Sequence, residues 1–146
     1  KKKNYGNILN GNLLNSLLKE SRGQIKENYS DKIITHMIID RYLLDGKYFS
    51  YLPENIRCEN ICLDLDFICL SKDFIKKFER SLSRYQIKIQ QIISADYVKS
   101  YFKGDEIDIF SMSKKIIQGH NPNEILLIPK KTNYIGFFEK FFNFFN

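Results

Sequence analysis

Glycine-rich loops are missing from this sequence. Its seven glycines are scattered, so neither a phosphate-binding loop nor a dinucleotide fingerprint can form, and no ATP binding or other cofactor is expected. Cysteine is scarce as well. Cys58, Cys62 and Cys69, an odd number in one short segment, make no disulfide framework and lack the second pair that a metal site needs. They fit a reducing compartment as small apolar side chains. The only histidines, His36 and His120, fall in an expected strand and an expected loop with no nucleophile signature beside them. No apolar run approaches the roughly 20 residues of a spanning helix. Lys1 to Lys3 are followed by polar residues, unlike a signal peptide, and a start at Lys rather than Met is what a fragment or processed product would show. These absences speak against an enzyme or a metalloprotein and for a cytoplasmic location.

What is present describes a globular chain. An apolar fraction of 43% and a charged fraction of 27% over 146 residues suit one domain with a core. The net charge of +6 favours an anionic partner without choosing among acidic protein, nucleic acid and lipid headgroups. Leu13, Leu14, Leu17, Leu18 and Ile25 predict an amphipathic helix over 13–28, with Asn12 as its cap. Ile33 to Leu44 reads as a strand ended by an Asp45-Gly46 turn. In 59–70, Ile61, Leu63, Leu65, Phe67 and Cys69 alternate with Cys62, Asp64 and Asp66, which predicts an antiparallel strand with one wet face. Asp64 and Asp66 share that face, where solubility alone explains them better than acid–base chemistry does. Ser71 caps a helix over 72–85, whose stripe of Phe74, Phe78, Leu82 and Tyr85 is expected to face the core. A strand over 87–93, helices over 96–102 and 105–118, and a short strand over 125–128 complete the prediction. The expected fold is α+β: a small antiparallel sheet covered on one face by helices within residues 1–128. A basic connector over 129–135 and an amphipathic helix over 136–146 follow.

Two stretches could carry binding. Lys76, Arg80 and Arg84 repeat every fourth residue beside Lys77, forming either a solvated helix face or a docking surface for an acidic partner. The same four residues define the alternative, a nucleic-acid-binding α+β module; against it, no GXXG loop and no aromatic pair of the RNA-recognition type on a strand is present. The tail is more specific. On a helix, Phe137, Phe138, Phe141, Phe142 and Phe145 share one broad face, with Lys130, Lys131 and Lys140 available to anionic lipid. At about 1.5 Å per residue such a helix would lie in a membrane interface and not cross it. The other reading is a terminal helix docked on the domain's own core.

The stretch from Asn10 to about Phe102 resembles the bacterial cell-division protein FtsA family, in the SHS2-type subdomain inserted into its actin-like fold. His36-Met37-Ile38-Ile39-Asp40-Arg41-Tyr42-Leu43-Leu44-Asp45 is similar to the family's first long strand, and Leu65-Asp66-Phe67-Ile68 to its second. Phe78-Glu79-Arg80 and Ile87 to Tyr97 resemble its helix, final strand and following turn, and a connector before a short amphipathic helix ends both. Ile39 stands where the family has Pro, Asn55 and Cys58 where Gly is usual, and Asp66 in place of a typical His. The actin-like segments with their phosphate loops have no counterpart here. The resemblance therefore implies no nucleotide. It implies a module at the inner face of the cell membrane that contacts neighbouring subunits, by self-association, or other division-machinery proteins, and binds an anionic membrane surface through its tail.

Overall fold

The computed structural model describes residues 1–103 and 108–125. Its elements are β1 (Lys2–Lys3), α1 (Gly11–Asn28), β2 (Lys32–Leu44), β3 (Lys47–Phe49), β4 (Asn60–Ser71), α2 (Lys72–Ser83), α3 (Ala95–Phe102) and α4 (Ile109–Ile117). The architecture is α+β, with an antiparallel four-stranded sheet in the order β1-β4-β2-β3. The described chain falls into two compact units, one drawn from Lys1–Ile25 and Ile39–Leu65, the other from Lys26–Ile38 and Asp66 onward.

The first unit has an aliphatic core. Leu9, Leu17, Leu44, Cys58 and Ile61 are buried together, with Leu13, Phe49, Leu52, Ile56 and Leu63 packed around them. Helix α1 forms where the leucine spacing predicts it, but it starts two residues earlier. Its cap is Asn10, whose side-chain oxygen accepts the Leu13 N–H at 3.0 Å, and not Asn12. At the end of β2 the chain reverses through Asp45 (φ 47°) and Gly46 (φ 84°), with Leu44 paired to Lys47. A two-residue loop with both φ positive matches the twist of the flanking strands. The Asp45 carboxylate also accepts the backbone N–H groups of Glu59 (2.9 Å) and Asn60 (2.8 Å). These donors hold its carboxyl below the ordinary carboxylate range. Burial pushes the Tyr42 phenol up to about 12. The sequence pattern omitted β1 and β3, since strands of two and three residues are too short to show a period of two.

In the second unit Tyr97, Val98 and Ile116 form the buried centre, with Ile38, Ile68, Ile93, Tyr101, Phe102 and Met112 against it. Ser94 caps α3 by accepting the Tyr97 N–H at 3.3 Å, and Asp108 caps α4 by accepting the Phe110 N–H at 3.1 Å. On β4 the expected alternation needs correction. Ile61 and Leu63 enter the first core as predicted, but Ile68, of the opposite parity, enters the second. The stretch 87–93 is not a strand. Ile87 donates to the Leu82 carbonyl at 3.2 Å and is exposed, while Ile93 is drawn into the core cluster. Its alternation is a local property, and no ladder partner among the described residues takes it up. Where the described residues end, Glu124 bridges to Ile38, and Ile125 N–H donates to the Met37 carbonyl at 2.8 Å. The rest of that expected strand, the connector over 129–135, the helix over 136–146 and the first residues of the helix predicted from 105 lie outside the described residues.

Candidate interaction surface

Helix α2 follows β4 without a linker. Ser71 ends the strand and caps the helix, accepting the Phe74 N–H at 3.4 Å, and Asp73 lies in the first turn, where the helix dipole favours an anion. Ile75 is its buried residue and Leu82 is half-buried, so the inward line runs through two positions seven residues apart. This corrects the expected apolar stripe. Phe74 is 59% exposed, Phe78 is 51% exposed, and Tyr85 beyond the helix end is exposed too. The apolar residues of α2 span an arc of about 100°, and only the Ile75–Leu82 edge of that arc is turned inward.

Phe74 and Phe78, one turn apart, stack with ring centroids 6.2 Å apart and planes 8° from parallel. Lys76, Lys77, Arg80 and Arg84 are all exposed, with Arg84 at the helix C-cap. Among the described residues none of the four has a carboxylate within 4.0 Å. Six basic and two acidic residues occur between Lys72 and Lys88, and of the acidic pair Asp73 sits at the dipole. Aromatic and cationic groups are therefore presented to solvent on one short helix.

Sequence reasoning missed a second polar constellation. His36 on β2 is 1% exposed and its Nδ1 lies 2.7 Å from Glu124 Oε1. Its Nε2 accepts the Ser94 backbone N–H at 3.0 Å, so the ring proton belongs on Nδ1 and is donated to Glu124. The Tyr97 hydroxyl donates to Glu124 Oε2 at 2.8 Å and accepts from Asn121 Nδ2 at 2.8 Å. Burial raises the Tyr97 phenol far above its ordinary range; Glu124 adds to the rise and Asn121 opposes it. A histidine, a carboxylate and a phenol in line have the composition of a catalytic relay. Here, however, both ring nitrogens, both carboxylate oxygens and the phenol are engaged with protein groups. The arrangement fastens Asn121–Glu124 to β2 and to the start of α3. Nothing in the sequence links position 36 to position 124, since no local spacing joins residues so far apart.

The remaining candidates are not brought together. His120 is exposed and stacks on Phe102, with centroids 5.5 Å apart. Asp64 pairs with Arg41 at 3.2 Å. Cys58 is buried in the first core, where burial raises its thiol, and among the described residues no three ligating side chains cluster as a metal site. Phe137, Phe138, Phe141, Phe142, Phe145, Lys130, Lys131 and Lys140 lie outside the described residues. Among those described, no helix is long and apolar enough to cross a membrane. No family model, no curated protein and no solved structure matches this chain.

Proposed function

We propose that this chain is a non-catalytic interaction module of the bacterial division machinery, working at the cytoplasmic face of the membrane and docking protein partners through α2. The observation that carries the docking reading is the stacked Phe74–Phe78 pair standing in solvent beside Lys77, Arg80 and Arg84. Exposed aromatic rings leave apolar area in water, and aromatic and arginine side chains are enriched where proteins meet. The division setting rests on the resemblance to the FtsA family. In its support, His36 to Asp45 lie on β2 and its turn, Leu65 to Ile68 on β4, and Phe78 to Arg80 on α2, the element types that the resemblance assigns them. Ile87 to Ile93, its final strand, runs outside the sheet here and lends it nothing. The membrane contribution of the tail rests on its phenylalanine pattern.

The test is localisation of the tagged chain in dividing cells. Phe78→Glu combined with Arg80→Glu is expected to disperse it from the division site while circular dichroism and melting stay unchanged. A folded variant that still concentrates there overturns the docking surface. For the tail, Phe138→Glu with Phe142→Glu is expected to release the protein from anionic vesicles; a lower melting temperature instead would assign the tail to the core. The exposed aromatic pair also favours a second reading, since bases stack on such rings beside cations. Tight single-stranded RNA binding with a steep salt dependence would establish that reading in place of the first.

A further inference from the structure

We infer that the partner received by α2 is an acidic amphipathic helix, lying along α2 with its apolar stripe on Phe74 and Phe78 and its carboxylates on the neighbouring basic flank. The inference rests on the docking reading of the same face and adds the chemistry of the occupant.

Position around the helix carries the first argument. At about 100° per residue, Ile75 and Leu82 mark the inward line, and the Phe74–Phe78 ridge stands beside it. Lys77, three residues from Phe74, borders the ridge on its solvent side. Arg84 and Arg80 come next on that same side, and Lys76 is farthest away. The other side of the ridge leads back to Leu82 and Ile75. An apolar row and a flank of three cations, with Asp73 on that flank at the N-terminal end, thus run side by side along one helix. A partner must present an apolar row and an anionic row on the same side. An extended strand turns successive side chains to opposite faces and offers one row. A helix sets rows three and four residues apart next to each other and offers both.

Charge complementarity carries the second argument. The flank holds Lys77, Arg80 and Arg84, and no carboxylate of the described chain lies within 4.0 Å of any of them. Arg80 and Arg84 are four residues and about 6 Å apart along the axis, the same step at which carboxylates repeat on a helix packed nearly in line with α2. The Phe pair is already stacked in the free chain, so little side-chain freedom is lost when it is covered.

The probe is a pair of synthetic helical peptides of about 20 residues with one leucine stripe, bordered by Glu in one and by Lys in the other. Both are titrated against the whole chain by fluorescence anisotropy. The Glu peptide is expected to bind about tenfold or more tightly than the Lys peptide, with the preference shrinking as salt is raised. Arg80→Glu with Arg84→Glu should reverse the preference, and Phe74→Ser with Phe78→Ser should weaken both peptides with the melting temperature preserved. Equal binding of the two peptides, or none, overturns the inference, as does displacement of the Glu peptide by anionic vesicles or single-stranded RNA. If the peptides fail but Phe78→Glu with Arg80→Glu still disperses the protein from the division site, docking at α2 stands and only the partner's chemistry falls.

Discussion

The two units fasten their loops in opposite ways. In the first, the polar fastening is at the surface, where Asp45 gathers two backbone N–H groups beneath a hairpin turn over a core of aliphatic side chains. In the second, the fastening is itself buried, running from Asn121 through Tyr97 and Glu124 to His36 and the Ser94 N–H. The difference teaches where each unit is fragile. A surface carboxylate that is lost hands its donors to water. A buried one strands them, and a stranded donor costs far more than its hydrogen bond contributed.

The largest effect should therefore come from Glu124→Ala, which leaves the His36 Nδ1–H and the Tyr97 O–H buried without acceptors. A loss of about 3–5 kcal/mol in urea denaturation is expected, and Glu124→Gln should recover part of it because one amide oxygen replaces two carboxylate oxygens. A change below about 1 kcal/mol would show that water already reaches the network. Next comes the aliphatic core. Ile61→Ala, at a fully buried position, should cost about 2–4 kcal/mol by the same measurement, through lost transfer energy and the cavity left behind.

A smaller and pH-dependent effect belongs to Asp45. Its carboxyl is held below the ordinary value of 3.8 in the folded state, so its stabilisation is present above that pH and is lost as the pH falls through the folded value. Asp45→Asn should flatten the acid limb of the stability curve in that window and leave stability at low pH almost unaltered. An acid limb identical to that of the parent chain would assign the loss to other carboxylates. The smallest effect is expected on α2. Phe78→Ser or Arg80→Glu should alter unfolding by within about 0.5 kcal/mol, because those side chains face solvent. A drop of several kcal/mol would mean that the ridge belongs to the core, and the docking proposal would fall with it.

Legibility followed the range over which each signal acts. Helix α1 and the long strands β2 and β4 were visible in spacing, and the Ser71 cap and the Asp45-Gly46 turn in local chemistry. The inward line of α2 was not, because Phe74, Ile75, Phe78 and Leu82 are all apolar and intrinsic preference cannot rank them. The alternation of Ile87 and Ile89 looked like a strand for a similar reason: a period of two records what an edge could accept, not whether one is offered.

By itself the sequence determined the α+β class, the positions of the longest elements and the four cations Lys76, Lys77, Arg80 and Arg84 on α2 and its C-cap. All of these follow from period, capping and charge along the chain. Only the tertiary structure decided that Phe74 and Phe78 face water and that His36, Ser94, Tyr97, Asn121 and Glu124 meet. Each depends on which distant surface arrives beside a residue, and burial and hydrogen bonding act through space, whereas a sequence pattern reaches only a few turns or one strand.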